Sequence, residues 1–217
     1  MGSLFSYDNK FFTALSRITD AIILGVLWMI CCIPVFTIGT SSTAFYYAYN
    51  KSIRQKRGYV WSSFFEGFKT NFKQSTKVWL LFIAMYVLIL IDCIILQAML
   101  DQNELAGYFV VIIFGILLLI IMWSLFLFPY MARFEDRIKV IIKNSILITI
   151  ANAPWALLLF IVFAVCAVVF VIIPITTLFV PAIYMWIANL ILERVFRKYM
   201  TPEDLAATKE LEDDYTK

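Results

Sequence analysis

The stretch VWLLFIAMYVLILIDCIILQAML, residues 78–100, decides the fold class. It carries one charge, Asp92, and about 18 or more apolar residues suffice to cross the roughly 30 Å hydrocarbon core of a bilayer as a helix. Inside that core a chain must satisfy its own backbone groups, and an unbroken apolar run selects the helix over the alternating pattern of a barrel strand. Further apolar runs occupy residues 21–38, 107–128 and 154–173, with a weaker one at 175–192 that holds Pro181 and Asn189. The pattern predicts an all-α, polytopic helical membrane protein with about five transmembrane helices and amphipathic interfacial helices. For 175–192, a full span and a re-entrant hairpin both fit.

Composition agrees. Hydrophobic residues make up 63% of the 217, charged residues 15%, and the mean hydropathy is +0.87, too apolar for a soluble domain with an ordinary surface. The net charge of +3 is uneven. Six carboxylates against Lys209 and Lys217 make residues 201–217 an acidic tail of −4, so the preceding body carries +7. A basic membrane body suits anionic headgroups, whereas nucleic acid would require a solvated basic domain that is missing. Cys31, Cys32, Cys93 and Cys166 lie within apolar runs and read as small buried residues. The first apolar run begins after twenty mixed residues and leads into Pro34 without a small-residue cleavage site, so it is expected to stay in the protein.

Lysine and arginine set the expected orientation, because cytoplasmic loops retain positive charge. Lys51, Arg54, Lys56, Arg57, Lys69, Lys73 and Lys77 fall between the first two runs; Arg133, Arg137, Lys139 and Lys143 fall between the third and fourth; Arg194, Arg197 and Lys198 follow the fifth. The segments around 101–106 and Pro174 carry none. This places the C-terminus in the cytoplasm and, for five crossings, the N-terminus outside, with residues 4–18 as an amphipathic helix in a headgroup layer.

An offset of 70 residues exposes an internal repeat. Phe64, Glu66, Phe68, Lys69, Phe72, Lys73, Gln74 and Ser75 match Phe134, Asp136, Ile138, Lys139, Ile142, Lys143, Asn144 and Ser145. The chain therefore reads as one transmembrane domain, 1–200, holding a first helix and two units at 61–130 and 131–200, followed by the tail.

Three groups of residues are candidates for function. Trp61, Phe65, Phe68 and Phe72 recur at helical spacing, with Lys69 and Lys73 on other faces and Lys139 and Lys143 as their counterparts; such a helix lies in the interface, as a docking surface or as a plain connector. Asp92 is a carboxylate inside a span, which costs about 2.5–3.5 kcal/mol on insertion scales, so it must face protein or water or be protonated. Gln97 near the same helix end and Ser124, Tyr184 and Asn189 on other runs are possible hydrogen-bond partners. Thr37 and Thr40 belong to a hydroxyl-rich stretch around Pro34 and Gly39, either a broken-helix binding site or the end of a span. Catalysis finds little footing: the chain has no histidine, no clustered carboxylates and no phosphate loop, and no cofactor is implied.

The opening Gly2-Ser3-Leu4-Phe5-Ser6-Tyr7-Asp8, the Cys32-to-Gly39 stretch with Thr43-Ala44-Phe45-Tyr46-Tyr47, and Gly58-Tyr59 leading to Phe65, Phe68, Lys69, Asn71, Phe72, Lys73 and Gln74 resemble the YesL family. The resemblance is most specific in the first 75 residues. It implies a bacterial cell-membrane protein of a family without a known biochemical activity, frequently encoded beside carbohydrate ABC importers. The resulting expectation is a non-enzymatic accessory that meets the lipid bilayer and importer permease subunits. A small secondary transporter or channel using Asp92 is the alternative.

Overall fold

The computed structural model describes residues 10–99, 105–134, 136–203, 205, 206 and 208. Seven α-helices carry the described fold: α1 (Lys10–Cys32), α2 (Ile38–Ala48), α3 (Val60–Met99), α4 (Leu105–Arg133), α5 (Ile138–Ala151), α6 (Ala153–Ile172) and α7 (Val180–Phe196). There is no strand among the described residues. Four segments are long and apolar enough to cross a membrane: Leu15–Cys32, Val60–Met99, Gly107–Arg133 and Ala153–Ile172. Helix α7, at 17 residues, falls short of that set and is packed along one side by Met185, Ala188, Leu192, Val195 and Phe196. The connection at Pro174–Leu178 is a short 3-10 turn, so the run at 175–192 enters its helix only at Val180. The expected N-terminal segment 4–18 lies outside the described residues up to position 9, as do residues 100–104 and most of the acidic tail.

The first apolar run ends in a hairpin. Pro34 has no N–H to give Ile30, so α1 stops at Cys32, and the N–H of Ile33 bonds the Ile30 carbonyl instead at 3.3 Å. Thr37 Oγ1 donates to the carbonyls of Cys31 and Pro34, each at 2.6 Å, and Ser41 Oγ donates to Cys31 at 3.0 Å. With those carbonyls satisfied, α2 turns back along α1. Trp28 stacks on Phe45 and its Nε1 donates to Ser42 Oγ at 3.2 Å.

Close packing of α2 on α3 depends on one glycine at each end of the contact. A Cβ on Gly39 would lie 2.5 Å from Trp79 Cβ, and one on Gly67 would lie 2.7 Å from Tyr47 Cδ1. Between them, Thr40 and Thr76 hydroxyls meet at 2.9 Å and Ser75 Oγ donates to Thr43 Oγ1 at 3.1 Å. Small residues with hydroxyl cross-links are what helix pairs use where lipid removes the hydrophobic drive to associate.

Two expectations need correcting. Residues 61–75 do not form a separate helix lying in the interface. They are the first part of α3, which runs unbroken for 40 residues, about 60 Å and twice the hydrocarbon thickness, so its basic portion continues beyond the span. Around the matching residues of the second copy the chain is split, since Phe134 and Asp136 precede α5, which Asn152 separates from α6, with Pro154 in the first turn of α6. The four cysteines are free and half-buried rather than buried. Arg17, on α1, lines one cavity with Arg54 and Arg197, so the two ends of the α1–α2 hairpin lie together. The returning limb, α2, is rich in hydroxyls, which hide it from any hydropathy count.

Candidate functional site

Among the described residues the buried charge is Glu193, 3% exposed, near the end of α7. Tyr46, Asn50 and Arg54 are spaced four apart and form one stripe from α2 into a π-helical turn, Tyr49–Arg54. All three reach the same carboxylate. The Tyr46 hydroxyl donates to Oε1 at 2.9 Å, Asn50 Nδ2 donates to Oε1 at 2.8 Å, and Arg54 Nη1 lies 2.9 Å from Oε2. Arg133, at the end of α4, brings Nε to 3.5 Å of Oε1 and donates from Nη2 to Thr208 at 3.2 Å. Hydrogen bonds from Tyr46 and Asn50 and ion pairs from Arg54 and Arg133 thus tie α2, α4 and α7 together at one carboxylate.

Beside this cluster a groove of about 1030 Å³ runs between α1 and α7. Its long walls are apolar, with Ile18, Ile22, Ile183, Trp186 and Leu190 among them, and its charged end holds Arg17, Arg54, Arg194, Arg197 and Glu193. Burial pushes the Tyr49 phenol up to about 12 against the pull of Arg17 and Arg54, so it lines the groove as a neutral donor. Arg194 also sits over the Trp155 ring at 5.3 Å. Asn189, 4% exposed, lines the groove, and its Nδ2 has no hydrogen-bond partner among the described residues.

A second recess, about 720 Å³, lies between α3 and the start of α5. Lys73, Lys77, Arg137 and Lys139 line it with Asp136, and Gln74 Nε2 donates to the Asp136 carbonyl at 2.9 Å across it. The structure therefore gathers Lys73 and Lys139, while Lys69 and Lys143 are exposed nearby in sequence but do not line the recess. The serines closing both copies are buried hinges of packing: Ser75 bonds Thr43, and Trp123 Nε1 donates to Ser145 at 2.9 Å.

The aromatic ridge is only partly open. Trp61 is 60% exposed, whereas Phe65, Phe68 and Phe72 are half-buried; Phe68 stacks on the buried Phe64 at 6.2 Å and meets Phe72 in a tilted pair at 5.6 Å. Asp92 is exposed on α3 among exposed Leu88, Ile91 and Ile95, and lines neither cavity. Thr37 and Thr40 are buried and committed to the hairpin and the α2–α3 contact, and Ser124 Oγ donates to Ile121 within α4. Asp92, Thr37, Thr40 and Asn189 are not assembled into one site. The residues missed from sequence were Glu193 and its arginines; the spacing of Tyr46, Asn50 and Arg54 was the available signal. Among the described residues no three His, Cys, Asp or Glu gather as a metal site.

No curated protein and no solved structure matches the chain. Residues 21–93, which cover about half of α1, all of α2 and most of α3, match a family described as "Protein of unknown function, DUF624".

Proposed function

We propose that the chain is a non-enzymatic membrane accessory protein of the YesL type, which docks on a carbohydrate ABC importer through the recess between α3 and α5. The observation that carries this reading is the convergence of Lys73, Lys77, Arg137 and Lys139 on one recess that the Gln74–Asp136 bond holds together. Four cations against one carboxylate suit an acidic cytoplasmic segment of a permease subunit, where complementary charge sets partner choice and approach. The four cationic side chains are exposed, so reversing them to glutamate leaves the fold intact. The Lys73→Glu, Lys77→Glu, Arg137→Glu, Lys139→Glu variant should reach the membrane at the parent level yet retain permease subunits on the order of tenfold less in mild-detergent copurification. Undiminished retention, or no importer subunit with the parent protein, would reject the reading.

In the same proposal the end of the molecule bearing Arg17, Arg54 and Arg197 faces the cytoplasm, with both termini there. The chain then consists of three hairpins, α1–α2, α3–α4 and α6–α7, and the excess of positive charge at their shared end supports this orientation. In a variant lacking the native cysteines, Gln102→Cys should react with an impermeant maleimide on intact cells, and Ser16→Cys and Lys56→Cys only after permeabilisation. Reaction of Ser16→Cys from outside would restore the N-out arrangement.

A further inference from the structure

We infer that the groove between α1 and α7 binds an anionic lipid through its phosphate. Charge comes first: among the described lining residues Arg17, Arg54, Arg194 and Arg197 stand with one carboxylate, Glu193, which already holds Arg54, and Arg133 adds a further cation to that carboxylate from outside the lining. Arg17 and Arg194 thus bring positive charge to this end of the groove. The kind of cation matters too, because every one of these is arginine, whereas the recess between α3 and α5 is lined by three lysines and one arginine. A guanidinium presents a planar fork that matches a phosphate with two parallel bonds, and lysine does not.

Size and polarity select a lipid over free phosphate. About 1030 Å³ is at the upper end for a small-molecule site, and an inorganic anion would leave the apolar walls of Ile18, Ile22, Ile183, Trp186 and Leu190 unfilled. An acyl chain lying along α1 and α7 with its headgroup at the arginines fills both parts. The second, independent sign is Asn189, a buried amide whose Nδ2 finds no acceptor among the described residues although it lines this groove. A buried donor left unmet is costly, and a phosphate or ester oxygen of the lipid would accept from it.

Native mass spectrometry of the intact chain released from nanodiscs of mixed phosphatidylglycerol and phosphatidylcholine tests this. Phosphatidylglycerol should be retained over phosphatidylcholine, and Arg17→Gln with Arg194→Gln, both at exposed positions, should reduce its retention on the order of tenfold. Asn189→Leu separates a ligand role from a structural one. If nothing occupies the groove, exchanging an unmet buried amide for an apolar group of similar size leaves melting unchanged or raised and lipid retention unaltered. If the inference holds, Asn189→Leu loses retained phosphatidylglycerol and the melting increment that added phosphatidylglycerol gives the parent. Equal retention of the two phospholipids, equal retention of oleate, an equal melting increment from inorganic phosphate, or full retention by both variants overturns it.

Discussion

Replacing Glu193 by alanine should destabilise the folded protein by about 3 kcal/mol, the lower end of what removing one partner of a buried ion pair costs. The carboxylate is 3% exposed, while the side chains of Arg54 and Arg133 are 23% and 16% exposed and retain some access to water, which keeps the loss from being larger. Alanine strips the shared anion from two guanidiniums and the acceptor from Tyr46 and Asn50, at the junction of α2, α4 and α7. Glu193→Gln should fall between, since its amide oxygen still accepts from Tyr46 and Asn50 while the charge is gone. Thermal unfolding in detergent orders the three proteins. A Glu193→Ala variant that melts with the parent would show that the cluster does not hold these helices. The combination Glu193→Leu, Arg54→Leu, Arg133→Met should recover much of the loss, because removing all the charges avoids leaving any of them without its counter-ion.

Gly39→Ala should cost about 2 kcal/mol, the scale of forcing an extra group into a packed contact. The new Cβ would meet Trp79 Cβ at 2.5 Å and Phe128 Cε1 at 2.8 Å. Trp79 Cβ is anchored to the α3 backbone and cannot swing away, so α2 and α3 must separate, stretching the Thr40–Thr76 and Ser75–Thr43 bonds. Gly67→Ala meets Tyr47 at Cδ1, 2.7 Å, and at its anchored Cβ only at 3.1 Å, a looser contact than Trp79 Cβ makes with Gly39, and should cost less. Gly115→Ala supplies the control: nothing lies within 4 Å of its Cβ, and alanine favours a helix over glycine by about 1 kcal/mol, so this variant should melt higher than the parent. If Gly39→Ala and Gly115→Ala melted alike, close α2–α3 packing would not be a source of stability.

The contrast between Asp92 and Glu193 shows where a reading along the chain reaches its end. Asp92 stands out in sequence because its neighbours on both sides are apolar, yet it lies exposed on α3. Glu193 is followed by Arg194 and reads as the start of a polar segment, yet it is the buried one. Burial of a charge depends on which helices surround it, and hydropathy averages only over neighbours in the chain. The basic copies at 64–75 and 134–145 were visible as a repeat, whereas their meeting in one recess required the α4–α5 connection to bring Asp136 onto Gln74.

By itself the sequence determined the all-helical class, the apolar cores of the four long helices, and the breaks at Pro34 and Pro174. These follow from quantities that add residue by residue: transfer into hydrocarbon, and the missing N–H of proline. Only the tertiary structure decided that α1 and α2 form a hairpin, that α3 runs unbroken from its basic start, and that Tyr46 meets Glu193 across 147 residues. Those outcomes rest on side-chain fit and on hydrogen bonds between distant segments, which no local sum contains: a glycine where two helices touch, hydroxyls that take up the carbonyls freed by a proline, and one carboxylate shared by two arginines.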